Sequence, residues 1–87
     1  MYVLIVYDVS VERVSKVHKA LKKFLHWRQN SVFEGELTDA QIEAVKTDVK
    51  KIINDEIDSV LIYTARDARW LNREHIGQEK TSTGNLI

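Results

Sequence analysis

At 87 residues and 10.1 kDa the chain is expected to be one domain that hides only about 60 to 65% of its unfolded surface, so burying further apolar area in a dimer is expected. It has no cysteine, which excludes disulfide staples, thiolate metal sites and cysteine nucleophiles, and no apolar run approaches the roughly 18 residues of a membrane span. Its 13 basic and 13 acidic side chains cancel, but they are segregated along the chain.

The chain opens on an unbroken apolar run, Met1-Tyr-Val-Leu-Ile-Val-Tyr-Asp8. The run has neither the basic n-region nor the small-residue cleavage site of a signal peptide, and a cytoplasmic location is expected. Val3, Ile5 and Val6 are β-branched and Tyr2 and Tyr7 aromatic, which predicts a strand buried on both faces with Asp8 at its C-terminal edge, where open sheets offer sites. Asp8 has two readings at this point. It or Ser10 caps the helix that follows, or its carboxylate serves chemistry.

Val14, Val17, Leu21, Phe24 and Leu25 recur at three- and four-residue intervals, predicting an amphipathic helix over residues 11 to 26. Residues 11 to 28 carry Arg13, Lys16, Lys19, Lys22, Lys23 and Arg28 against the single acid Glu12. Most of these cations fall opposite the apolar stripe, as a solvated face or as a surface for phosphates, and the lack of interleaved acids favours contact. Residues 34 to 58, by contrast, hold eight acids against three lysines.

Residues 27 to 37 have no helical period; Gly35 interrupts them, and either a strand with a bulge or a short hairpin fits. Thr38 and Gln41 have capping-box spacing, and Ile42, Val45, Val49, Ile52 and Ile53 line a second helix to about Asn54. Asp55 to Asp58 reads as a connecting turn. Ser59 to Ala65 is a second continuous apolar run, predicted to be another central strand beside the first. Beyond it Trp70, Leu71 and Ile76 are too sparse for a core helix and read as an edge segment or arm, and residues 78 to 87 form a polar tail on a domain spanning 1 to 77.

This order predicts an α+β fold on the ferredoxin-like β-α-β-β-α-β plan, with two helices on one face of an antiparallel sheet and an extra C-terminal strand or arm. A doubly wound sheet would need more strands. His18, His26 and His75 have no metal-ligand spacing and read as structural.

Tyr7-Asp8 closing the first strand, the basic helix, and then Gln29-Asn-Ser-Val-Phe-Glu-Gly35 together closely resemble the small CRISPR-associated adaptation proteins of the Cas-two family. The likeness covers nearly the whole chain, including Trp70 and Glu74-His-Ile-Gly77, and the Gln29 to Gly35 segment is its more specific part. The resemblance implies a ferredoxin-like homodimer whose C-terminal strand reaches the partner's sheet. It implies work with the Cas-one integrase to capture duplex DNA as spacers, and metal-dependent nuclease activity on single-stranded RNA or on DNA.

By position the resemblance makes Asp8 the ligand of Mg²⁺ or Mn²⁺ and the catalytic carboxylate, with Tyr7 its neighbour. It makes Arg13 and Lys16 nucleic-acid contacts, to which the basic surface adds Lys23 and Arg28 as candidates, and it makes Gln29, Ser31 and Phe33 supporting residues. One departure stands out: where many members have a base two residues before the glutamine, this chain has Trp27, and the charge sits on Arg28, which a regular strand turns to the opposite face. Mg²⁺ takes one or two carboxylates with several waters, so two copies of Asp8 across a twofold axis are the expected unit. Two other modules share the fold class. An RNA-recognition module would need paired aromatics on its central strands, whereas Tyr2, Tyr7, Phe33 and Tyr63 are separated, and a small-molecule regulatory domain would leave the basic helix unexplained.

Overall fold

The computed structural model describes residues 1–78. Its order is β1 (Tyr2–Asp8), α1 (Val11–Lys22), β2 (His26–Gln29), β3 (Val32–Glu36), α2 (Asp39–Ile52) and β4 (Ser59–Ala65), followed by a 3₁₀ turn at Ala68–Trp70. The strands form one antiparallel sheet in the order β2-β3-β1-β4. That is the ferredoxin-like arrangement, with β3 inserted between β1 and β2. The arm expected after Ala65 is present as an extended segment, and no fifth strand forms among the described residues. All but the first residue of the predicted tail lies outside the described residues.

β1 alternates strictly. Val3, Ile5 and Tyr7 face the helices and are at most 5% exposed, whereas Tyr2, Leu4 and Val6 face the other way and are half-buried. Phe33 on β3 and Val17, Leu21, Val45 and Val49 on the helices complete the core beneath that first face. Strands buried on both faces were expected here, and the single chain departs from that: only one face of the sheet is covered by helices. β4 does lie beside β1, but at the sheet's edge rather than centrally, and it leaves Leu61 and Tyr63 51% and 54% exposed. A continuous apolar run looks the same in sequence whether its second face is covered by its own chain or by another.

α1 stops four residues before the expected end. The amides of Phe24 and Leu25 both return to the carbonyl of Leu21, tightening the last turn so that the chain can enter β2 at His26. Residues 27 to 37 prove to be both alternatives at once, a β2–β3 hairpin whose first strand carries a register shift between Trp27 and Gln29. Asn30 takes the left-handed conformation in its loop (φ 46°), and the Trp27 indole N–H donates to the Asn30 carbonyl at 2.9 Å. Gly35 permits the start of β2 to close down: a Cβ there would stand 3.3 Å from the Leu25 side chain. The predicted capping box is present in full, with Thr38 Oγ1 accepting from the Gln41 amide and Gln41 Oε1 from the Thr38 amide.

Candidate metal and nucleic-acid site

β1 and β4 are in register to their last pair, Asp8 opposite Ser59, so Asp8 ends the uncovered face that Tyr2, Leu4 and Val6 begin. The hairpin loop joins this end of the sheet through a bond from the Tyr7 amide to the Ser31 carbonyl at 3.2 Å. The N-terminus of α1 opens here too, two residues after the strand. Asp8, Ser31, Ser59 and the first turn of α1 therefore share one rim.

Neither Asp8 nor Ser10 caps α1 with its side chain. Ser10 occupies the N-cap position without a side-chain bond, and the Asp8 carboxylate is exposed and accepts no hydrogen bond from any described residue. Asp58 instead ties down this end of α1. Its side chain has no exposed surface, and its oxygens accept from the Ser10 amide (3.0 Å), the Asn54 amide (2.9 Å) and two nitrogens of Arg13 (2.5 and 3.1 Å). The bidentate Arg13 contact, opposed by burial and assisted by the two amides, holds this carboxyl far below the usual carboxylate range. Asp58, read from sequence as part of a turn, is thus the bolt joining α1, α2 and β4. The signal available was its position directly before an apolar strand in a segment with an arginine still to be paired.

The same geometry changes the standing of Arg13. Its guanidinium is committed to Asp58, with Glu12 3.5 Å away on its outer side, so it shapes the rim from within. Lys16 and Lys23 are exposed on α1, about 10 Å apart along the axis, and flank a groove between the helices together with Lys19, Lys51 and Asp48. Lys23 stands at the far end of α1 from Asp8 and belongs to this groove rather than to the rim.

The supporting residues divide. Tyr7 and Phe33 are core, 5% and 0% exposed, with ring centroids 6.3 Å apart, and burial pushes the Tyr7 phenol above its ordinary range. Gln29 and Ser31 bracket the hairpin loop near the rim. His18 is packed as a structural residue, its ring edge-on to Phe33 at 5.0 Å.

Arg28 turns away from Trp27, as the alternation predicts, and its Nε lies 3.0 Å from Glu34 on the uncovered face. Glu34, which the sequence offered only within the Gln29 to Gly35 segment and without a role of its own, is a second such residue. It is 4% exposed and also accepts from the Tyr2 hydroxyl at 2.7 Å and from Arg73, which draws the segment after β4 across the sheet. Burial raises its pKa, but the hydrogen bonds from Arg73 and Tyr2 and the charges of Arg73 and Arg28 outweigh it, and the net displacement is downward.

No three His, Asp or Glu side chains converge on a possible ion among the described residues. The donor chemistry still suits Mg²⁺ or Mn²⁺ in part: Asp8 is a hard, unengaged carboxylate at an open rim, and a cation that keeps most of its waters asks for only one or two of these. No described helix is long and apolar enough to cross a membrane.

The family model described as CRISPR associated protein Cas2 matches residues 1–73. Among curated relatives, the CRISPR-associated endoribonuclease Cas2 of Methanosarcina acetivorans is 47% identical over the full length of both chains, and that of Pyrococcus furiosus 51% over the same span. The corresponding protein of Methanothermobacter thermautotrophicus is 52% identical across 93% of this chain and 89% of its own. Among solved structures, one described as a crystal structure of Cas2 superposes with a TM-score of 0.86 at 48% identity, covering 100% of this chain and 98% of the other. Streptococcus pyogenes Cas2 superposes at 0.78 with 31% identity, over 88% of this chain and 100% of that one. With the sheet order, the two covering helices and the Tyr7-Asp8 rim in place, these matches make the chain a member of the CRISPR-associated Cas2 family.

Proposed function

We propose that this chain acts in CRISPR adaptation as a cytoplasmic homodimer that grips nucleic acid and, with a divalent metal, hydrolyses phosphodiester bonds. The observation that carries the reading is a single juxtaposition: an unengaged Asp8 at the tip of a sheet face that no helix of the chain covers. Leu61 and Tyr63 on that face are suited to meet the same face of a second copy. Two copies of Asp8 brought together about the axis repel one another and are relieved by a shared Mg²⁺ or Mn²⁺. Such an ion, when bound, neutralises charge developing on the scissile phosphate and lowers the pKa of a coordinated water. The chain's own part is to fix Asp8 on a strand end, hold the rim through the Asp58 and Arg13 bolt, and offer Lys16 as a phosphate contact. The names of the relatives support RNA as one substrate.

The biological role is proposed to be the scaffold: a dimer presenting lysines of α1, Lys16 and Lys23 among them, to duplex DNA held with the Cas-one integrase. One carboxylate per chain is spare equipment for efficient hydrolysis. Asp8→Asn tests both parts. It is expected to abolish Mg²⁺-dependent cleavage of single-stranded RNA while leaving spacer acquisition intact, and Lys16→Glu with Lys23→Glu is expected to abolish spacer acquisition. Cleavage surviving in Asp8→Asn overturns the metal site, and acquisition surviving the double charge reversal overturns the α1 surface.

A further inference from the structure

The geometry points to a second nucleic-acid subsite at the opposite end of the sheet from Asp8, a stacking platform built by Trp70 and Arg66 for a base and phosphate of a single strand. Trp70 is 66% exposed, too open for a core residue, and the Arg66 guanidinium carbon lies over its ring at 5.8 Å from the centroid. Arg66 forms no ion pair with any described residue. Its neighbour Asp67 is already engaged: it accepts from the Arg69 amide, Nε and Nη2 at 2.8, 3.1 and 2.8 Å. Those bonds, with the Trp70 amide on the Asp67 carbonyl at 3.1 Å, fix the 3₁₀ turn that carries the indole.

The platform borders a groove of about 430 Å³ that Met1, Thr64 and Ala65 also line. The terminal ammonium of Met1 is matched by Glu36 at 2.8 Å, so the uncompensated charge at this groove is that of Arg66. A planar, rigidly mounted apolar ring beside an unmatched guanidinium is complementary to a nucleobase with its phosphate, and single strands offer both without being unpaired first. β1 spans the distance between this groove at Met1 and the rim at Asp8, about 20 Å at the rise of a strand, so the two places cannot share one nucleotide. The inference extends the nucleic-acid reading above, and places a base-holding contact where that reading has none.

The test is binding of a short oligouridylate by the full chain at fixed salt with chelator present, so that no cleavage intervenes. Trp70 emission should be quenched, and the quench should vanish in Trp70→Phe, in which Trp27 is the remaining indole. Trp70→Ala should weaken binding on the order of tenfold, Trp70→Phe should restore part of it, and Arg66→Ala should weaken it with a shallower salt dependence. Oligouridylate affinity in Trp70→Ala equal to that of the parent overturns the platform while leaving the Asp8 reading standing. A Trp70→Ala chain that instead loses its dimeric state in sedimentation also overturns it, because the indole would then be an interface residue. Failure of the parent to bind any single or double strand overturns both readings together.

Discussion

The two faces of the sheet are made from nearly the same residues and do opposite things. Toward the helices β1 presents Val3, Ile5 and Tyr7, all buried with Phe33; away from them it presents Tyr2, Leu4 and Val6, which together with Leu61 and Tyr63 stay within reach of solvent. The carboxylates beside these faces divide in the same way. Asp58, in the turn before β4, is saturated by four donors, whereas Asp8, opposite Ser59 in the sheet register, is open. A polar group that the fold has already paired is spent on stability, and the group left unpaired at an open rim is the one available for chemistry.

The largest effect expected from this division is on the closed face. Phe33→Ala should cost about 3–5 kcal/mol of unfolding free energy in denaturant titration, because it empties a fully enclosed site. Leu61→Ala on the open face should cost under about 0.5 kcal/mol when measured on the monomer. Comparable losses from the two would mean that the open face is not open.

The converse holds for association. Leu61→Asp with Tyr63→Asp should weaken self-association by at least about thirtyfold in sedimentation equilibrium, since each buries a charge in an apolar contact, with the monomer still folded. A dimer that persists would move the interface elsewhere on the molecule.

The carboxylates come next. Asp58→Ala should lower the melting temperature clearly, by unbinding Arg13 and orphaning the Ser10 and Asn54 amides, while Asp8→Ala should leave it unchanged or raise it. Because the Asp58 pKa is depressed in the folded state, its contribution is complete above the unfolded value near 3.8 and is lost as pH falls below that, toward the folded value. Parent and Asp58→Ala stabilities should therefore converge in strong acid.

Much of this was legible beforehand, for local reasons. The capping box at Thr38 and the β4 boundaries at Ser59 and Ala65 were readable because adjacent residues decide them. Asp58, Glu34 and the fate of Arg13 were not, since the pairings of Asp58 with Ser10 and Arg13, and of Glu34 with Tyr2 and Arg73, span 32 to 48 residues and nothing local distinguishes a bolt from a turn. The face of the sheet that stays open was misread for a related cause: periodicity reports that a side chain is apolar, and topology alone decides what covers it. The place of Asp8 at the end of β1 was legible because it rests on strand length and direction, which alternation does encode.

The smallest effect expected belongs to the closed face and to its imidazole. His18 sits between α1 and the sheet, edge-on to Phe33 and tilted against Trp27 at 6.2 Å, and burial, with a lesser contribution from the Lys22 charge, lowers its pKa below 6.5. A base depressed in the folded state resists the proton that the unfolded chain takes up, so stability is complete above the unfolded value and declines as pH falls from about 6.5 toward the folded pKa. Titrating unfolding free energy between pH 7.5 and 5 should show this shallow loss in the parent, and His18→Gln should remove the slope, at some cost in packing at every pH. The slope should be indifferent to Asp8→Ala, because the two groups lie on opposite sides of the sheet. A slope that disappears with Asp8 instead would show that the open rim is coupled to the core beneath it, and the division between the faces would have to be redrawn.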